Sequence, residues 1–415
     1  MNIIRLEPDE GGTAAWPTLS TSRKSVVTVG VFDGVHRGHQ AVIGRTVELA
    51  RAQDCFAVVI MFDPRPAFVH MYAKTHAGIA VPEGLHDAQA LTGTDERLRM
   101  MDELGVDYVL IVHYDLAFAA KSYRFFLGQL VGKLGMRTLV LGADARMGAN
   151  REGDIAHIDR LAQATGMFEL DVVDDNGGMT RVPATYSPTA PQHAGEPVDP
   201  LAAMNKAQRR AWSKRTNARE VRELSSTNIR WLLSQGRISD ANRILGHMHG
   251  VEGTVIHGEE RGRTIGFPTA NVEEPIDGYL PVDGVYAGWL IDLGSDEAYE
   301  QSQRPFGDEQ DGGVESISQP YTSGGVESRL AAHSPYRWPA AISIGTKPTF
   351  NEQTGRDERV LEAYAVTNGW LELYGHRVRV EFARFLRPQI KFDSAQELVD
   401  ELTRNADETL TIVGE

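Results

Sequence analysis

Short β-branched runs alternate with amphipathic stretches through the first half of the chain. Residues 26–31 form such a run ended by a turn, which predicts a buried strand. From 38 to 53, Val42, Ile43, Val47 and Ala50 share one helical face. Residues 56–62, 108–112 and 138–141 predict further strands, and 94–104 and 121–134 further helices. This alternation predicts a parallel sheet covered on both faces. Residues 174–218 break it with glycines, prolines and then Lys206, Arg209, Arg210, Lys214 and Arg215, which predicts a mobile excursion ending in a short basic helix. Helices are expected again over 228–234 and 239–245.

Beyond Gly246 the pattern changes. Short strands are predicted at 251–256, 284–291, 340–344, 360–366 and 378–385, without long helices between them. An antiparallel barrel or sandwich follows, closed by an amphipathic helix over 393–404. The polar, acidic stretch 295–338 has few large apolar side chains and is expected to be disordered. The organisation is therefore an N-terminal extension, 1–23, an α/β domain, 24–246, and a barrel-like domain, 247–415.

The 415 residues carry a formal charge of −15, which argues against a general nucleic-acid coat. Cys55 is the sole cysteine, so neither an intramolecular disulfide nor a thiolate-rich metal site can form. No apolar run is long enough to span a bilayer, and the N-terminus lacks the pattern of a signal peptide. A cytoplasmic protein with no membrane or nucleic-acid partner is expected, as a monomer or weak homo-oligomer.

The string GVFDGVHRGHQ, residues 30–40, joins a predicted strand to a predicted helix, where free N–H groups and the helix dipole favour phosphate. Gly34 and Gly38 permit a tight turn and close backbone approach. His36 and His39 suit donation to phosphate oxygens. A metal pair and an ordinary capped turn are the other readings of that spacing. Asp33 fits either a Mg²⁺-bound phosphate or a turn. Arg230, at the start of a helix behind hydroxyl residues, can clamp phosphate bidentately.

In the second half, GTVIHGEERGRTIGFPTAN at 253–271 contains no Walker loop. It offers a glycine-rich lid with Gly258, Gly262, Thr264 and Gly266, followed by Thr269 and Asn271, whose oxygens suit Mg²⁺ and ion-held phosphate. Glu362 interrupts an apolar strand. It is placed either to face solvent or to take a proton from an attacking hydroxyl.

These segments resemble known families. The His-x-Gly-His turn is similar to the nucleotidyltransferase superfamily. GVFDGVHRGHQ, MFDPRP at 61–66 and LSSTNIR at 224–230 resemble the adenylyltransferase half of bacterial bifunctional riboflavin kinase/FAD synthetases. GRTIGFPTAN, PVDGVYA at 281–287, IGTKPTF at 344–350, LYG at 373–375 and RFLRP at 384–388 resemble the riboflavin kinase half. The resemblance implies a doubly wound domain followed by a six-stranded antiparallel barrel with a terminal helix. It implies phosphorylation of riboflavin to FMN, then adenylylation of FMN to FAD and pyrophosphate, with ATP as donor and Mg²⁺ as cofactor.

By position, His36, His39 and Arg230 would be catalytic in the first domain, with Gly30, Phe32, Asp33, Gly38, Ser226, Thr227 and Asp144 contacting ATP and Phe62, Asp63 and Pro64 beside the flavin. In the second, Thr269 and Asn271 would hold Mg²⁺–ATP, Glu362 would be the general base, and Arg387 would border the flavin. One departure is GADARMG at 142–148, where Ala145 and Met147 replace customary aromatics. That change motivates an alternative in which kinase activity persists and FAD synthesis is weak or absent.

Overall fold

A computed structural model describes residues 1–174, 177–258, 267–295, 319–321, 325–346, 359–367 and 369–414, which form two compact units. The first is built on strands β1 (Asn2–Leu6), β2 (Ser25–Val29), β3 (Phe56–Asp63), β4 (Tyr108–His113) and β5 (Met136–Gly142). A small hairpin follows, β6 (Arg146–Met147) with β7 (Gly153–Asp154), and then β8 (Glu169–Val173). The sheet order is β1–β4–β3–β2–β5–β8, parallel throughout, with β14 (Gln319–Pro320) added antiparallel at the β1 edge.

Successive strand residues serve opposite faces. Val58 and Ile60 join one apolar cluster with Leu127 and Leu130 of α5 (Tyr123–Leu134) and Ile158 of α6 (Ile155–Thr165). Val59 and Met61 join another with Ile43 and Val47 of α1 (Arg37–Ala52) and Leu98 and Met101 of α3 (Thr94–Glu103). Helix α2 (Pro66–Thr75) follows β3, and the short α4 (Leu116–Ala119) follows β4.

The expected N-terminal extension is integral to this unit. Strand β1 pairs with β4, and Ile4, Leu6, Trp16 and Leu19 are buried. Its few apolar positions are too short a pattern to register as a strand by themselves.

The second unit begins at Gly178 and also takes in Leu91–Gly93. Its centre is a closed antiparallel barrel of β11 (His249–Ile256), β12 (Ala270–Val272), β16 (Arg359–Ala365), β15 (Arg337–Thr346), β13 (Gly284–Ser295) and β17 (His376–Arg387), in that order. The terminal helix α11 (Ala395–Val413) is longer than expected, continuing beyond residue 404.

Helices α8 (Ser226–Ser234) and α9 (Ile238–Leu245) pack by Ile229, Leu232, Leu233 and Ile244 into the same core as Val251, Phe382 and Phe385. Packing therefore divides the chain at Gly177/Gly178, whereas the change of sequence texture falls near residue 246. The excursion over 174–218 carries folded elements. Strand β9 (Met179–Val182) pairs with β10 (Arg219–Arg222), and α7 (Lys206–Arg215) is the expected basic helix, opened by an Asn205 capping box.

The expectation of disorder over 295–338 fails at its described C-terminal end. Helix α10 (Val326–Leu330) buries Val326 against Ile291 and Leu293, and the Arg329 guanidinium pairs with Asp292 at 2.8 Å. Leu330 packs against the same cluster, and Arg329 also donates to the Asp292 carbonyl at 3.1 Å. Residues 296–318 lie outside the described structure.

Candidate active sites

Strands β2 and β5 are neighbours, while the chain leaves β2 for β3 on the other side. Their carboxyl ends therefore define a topological switch point, where open α/β sheets form ligand crevices. The turn after β2 has left-handed backbone at Phe32 (φ 51°), Gly34 (φ 83°) and Val35 (φ 35°). Such a conformation costs about 1–3 kcal/mol at each non-glycine residue. Phe32 and Val35 are buried in the core beneath α1, and that packing holds the turn in place. A Cβ at Gly30 would lie 2.9 Å from the Phe32 ring, so the turn also needs a bare backbone there.

His36 is the N-cap of α1, and its Nδ1 accepts from the His39 backbone N–H at 3.4 Å. The two imidazoles stack with centroids 3.6 Å apart, and the Phe32 ring meets His39 edge-on at 5.3 Å. Burial, followed by the proximity of His36 and Arg97, holds the His39 pKa well below its usual value. His39 is therefore a neutral ring at physiological pH, and its buried Nδ1 has no hydrogen-bond partner among the described residues. Gly38 is buried in the first helical turn between them.

A buried polar network supports this turn. Arg97 of α3 donates to the Val31 carbonyl at 3.1 Å and to Thr94 Oγ1 at 2.9 Å, while Thr94 Oγ1 donates to Asp63 Oδ2 at 3.0 Å. Arg65 forms a two-point pair with Asp87 and lies 3.9 Å from Asp33. Thus Asp33 and Asp63, both expected site residues, belong to one charged framework. Thr94 and Arg97 escape the sequence reading, and Arg65 stands within the MFDPRP string without a role of its own. Arg97 sits beside Leu98 in a charged helical segment and resembles a solvated residue, although it is 4% exposed.

Next to the turn, a cavity of about 410 Å³ is lined by Phe62, Tyr114, Phe118 and Phe126, with Lys121, Arg146 and Arg151 also on its wall. Its size and apolar lining suit a planar ring system, and its basic groups suit an attached phosphate. Ala145 and Met147 line the same cavity and pack against the sheet core. Asp63 and Pro64 instead line a neighbouring hollow of about 870 Å³. Asp144 is exposed just after β5.

Ser226, Thr227 and Arg230 lie on α8, in the second unit. Ser225 caps this helix by accepting from Asn228 N–H, which places Ser226 and Thr227 in the first turn. Burial lowers the Arg230 pKa to about 10, opposed by nearby Tyr279, and the guanidinium remains charged at neutral pH.

In the barrel, Asn271 of β12 stands directly opposite Glu362 of β16, and Glu362 is in turn opposite Ser343 of β15. Directly opposed residues share a sheet face. Leu361, Ala363 and Ala365 bury the other face of β16 in the barrel core, so Glu362 projects away from that core. Asn271 Nδ2 donates to the Thr269 carbonyl at 3.3 Å and lies 3.5 Å from Thr269 Oγ1. A Cβ on Gly258 would come within 2.4 Å of the Asn271 amide, so this glycine lets the backbone lie flat against it. Thr269, Asn271 and Glu362 thus occupy one local region. Gly262, Thr264 and Gly266 lie outside the described residues.

Arg387 ends β17 and is tied to α11, pairing with Glu401 at 2.8 Å and donating to Asn405 Oδ1 at 3.2 Å. Burial lowers its pKa, opposed by Glu401. Another constraint is Arg359, which bonds Asp283 and the Leu280 and Pro281 carbonyls, fixing the PVDG turn against β16. Among the described residues no cluster of three or more His, Cys, Asp or Glu side chains is arranged to hold a metal. The hard oxygens of Thr269 and Asn271 instead match a cation carried chiefly by phosphates and water.

A doubly wound nucleotidyltransferase-like domain and a six-stranded kinase-type barrel in one chain define a two-domain phosphorus-group transferase. The family model for FAD synthetase matches residues 18–182, and that for riboflavin kinase matches residues 245–413. A bifunctional riboflavin kinase/FMN adenylyltransferase of Listeria monocytogenes is 26% identical over 94% of this chain and 92% of its own length. The Escherichia coli K12 protein of the same description is 29% identical over 92% and 90%. A solved Streptococcus pneumoniae chain, described as a macrolide-efflux protein, has the same fold, with a TM-score of 0.63, 20% identity and 98% coverage of both chains. The chain belongs to the bifunctional riboflavin kinase/FMN adenylyltransferase family.

Proposed function

We propose that the barrel converts riboflavin to FMN and that the parallel-sheet domain converts FMN to FAD. The observation that carries the first assignment is the register placing Asn271 opposite Glu362, with Thr269 bonded to Asn271. Glu362 accepts the proton of the riboflavin 5′-hydroxyl as that oxygen bonds to the γ-phosphorus of ATP. The bond from the γ-phosphorus to the β-phosphate oxygen breaks, and ADP leaves. Thr269 and Asn271 would hold Mg²⁺, which supplies charge neutralisation at the phosphates when bound. Gly258 gives the phosphates access to the Asn271 amide, and Arg387 positions the flavin edge through α11.

In the first domain, an FMN phosphate oxygen attacks the α-phosphorus of a second ATP and pyrophosphate departs. The nucleophile is already anionic, so the residues needed are donors rather than a base. His36 and the neutral His39 ring stabilise the developing charge, with the N–H groups of α1 binding phosphate; for Ser226, Thr227 and Arg230 of α8 the support for a phosphate role is the family resemblance alone. Phe62 and the 410 Å³ cavity take the flavin, and Asp144 contacts the adenosine of ATP. Ala145 and Met147 still line a formed cavity, which supports retention of FAD synthesis.

Among the described residues, no helix is long and apolar enough to cross a membrane. A cytoplasmic location and a monomeric or weakly associating state complete the proposal. The test is incubation of purified protein with riboflavin, ATP and Mg²⁺ followed by chromatography. Sequential FMN and FAD are expected, whereas FMN that never advances to FAD would overturn the second assignment.

A further inference from the structure

Helix α7, strand β10 and the loop before α7 fall between the segments matched by the two families. With β9 they enclose a hollow of about 560 Å³. Lys206, Arg209, Arg210 and Ser213 recur at the spacing of one helical face and line this hollow together with Arg181 of β9. Arg181 donates to Ser213 Oγ at 3.0 Å, and Arg209 Nε donates to the Leu201 and Met204 carbonyls at 3.2 and 3.0 Å. Both guanidinium groups are thus held in place.

Arg181, Lys206, Arg209 and Arg210 have no ion-pair partner among the described residues. The wall also carries Asp199, already paired with Arg237 at 3.4 Å, and Glu220, opposite Arg181 across the ladder. Cations therefore outnumber the available acids, inside a chain whose net charge is −15. Such a local positive hollow concentrates a compact anion. Trp212 adds an aromatic wall, and the volume is that of a small-molecule site.

We infer that this hollow binds a short oligophosphate chain, as carried by a nucleoside triphosphate or by inorganic tripolyphosphate, using residues that neither reaction employs. Lys206 and Arg210 are exposed, so K206Q/R210Q removes two charges without opening the core. Calorimetric titration of the full-length parent and this variant with inorganic tripolyphosphate, and separately with ATP, provides the test. The variant is expected to lose one class of binding site or to weaken it by about tenfold, with turnover in both reactions unchanged at saturating substrate. Loss with both probes assigns recognition to the phosphate chain. Loss with ATP alone assigns it to a nucleotide, and loss with tripolyphosphate alone to the free chain. Superimposable isotherms for parent and variant with both probes would overturn the inference.

Discussion

Arg97 donates to the Val31 carbonyl at 3.1 Å, tying a helix that follows β3 to the turn that follows β2. The same guanidinium bonds Thr94, which bonds Asp63, and it lies near enough to His39 to help depress that ring's pKa. Arg97 is a positioning residue, acting on the FMN-adenylylating turn through backbone and side-chain bonds.

Replacement of Arg97 by methionine is expected to lower kcat/KM for FAD formation from FMN by about a hundredfold, the scale of losing one preorganised electrostatic element. Lysine should restore part of that loss. Burial remains the chief depressor of His39, but removing a nearby cation moves its pKa upward. The acid limb of the pH–rate profile should accordingly shift to higher pH in Arg97→Met. Riboflavin phosphorylation should be unaffected, and equal losses in both reactions would indicate a merely structural role.

Gly258 gives a separate handle on the barrel. Because a Cβ there would stand 2.4 Å from the Asn271 amide, Gly258→Ala must displace the side chain proposed to meet Mg²⁺–ATP. The expected result is about a tenfold rise in KM for ATP during riboflavin phosphorylation, corresponding to about 1.4 kcal/mol. FAD formation from supplied FMN should keep its ATP dependence. An unchanged KM in the first reaction would remove Asn271 from the ATP site.

His249 predicts the pH dependence of stability. It is 1% exposed, its Nε2 lies 2.7 Å from the Tyr279 carbonyl, and burial drives its pKa down to about 3. The unfolded chain binds this proton below about pH 6.5 while the folded chain does not, so stability falls as pH drops from 6.5 towards 3. Each such proton contributes a slope of about 1.4 kcal/mol per pH unit. Denaturant titrations across this range should show the slope lessened in His249→Gln; an unchanged slope would show that His249 protonates in the native barrel.

Much of the architecture is legible in sequence because it depends on local periodicity. The runs at 56–62 and 108–112 are continuous and β-branched, as strands buried on both faces must be. Strand β1 is not legible, since Ile3 and Ile4 gain meaning only through pairing with β4. Strand β12, with three residues, has the same problem, and α10 is held by Val326 and Arg329 within otherwise polar sequence.

The candidate sites divide similarly. His36 and His39 are adjacent on one turn, so their spacing alone brings them together. Asn271 and Glu362 meet only through strand register. Arg97 belongs to no quoted motif, and its burial depends on long-range packing that periodicity does not encode. The family resemblance supplies the expected pairings that residue chemistry leaves open.

The most direct test of two separate reaction sites compares H36A/H39A with E362Q in the full chain, each given riboflavin or FMN with ATP and Mg²⁺. H36A/H39A is expected to form FMN at the parent rate and to lose FAD formation by about 10²–10³-fold. E362Q is expected to form FMN from riboflavin about 10²–10⁴-fold more slowly while converting supplied FMN to FAD normally. Parallel losses of both reactions in either variant, or parent rates in both, would contradict the account.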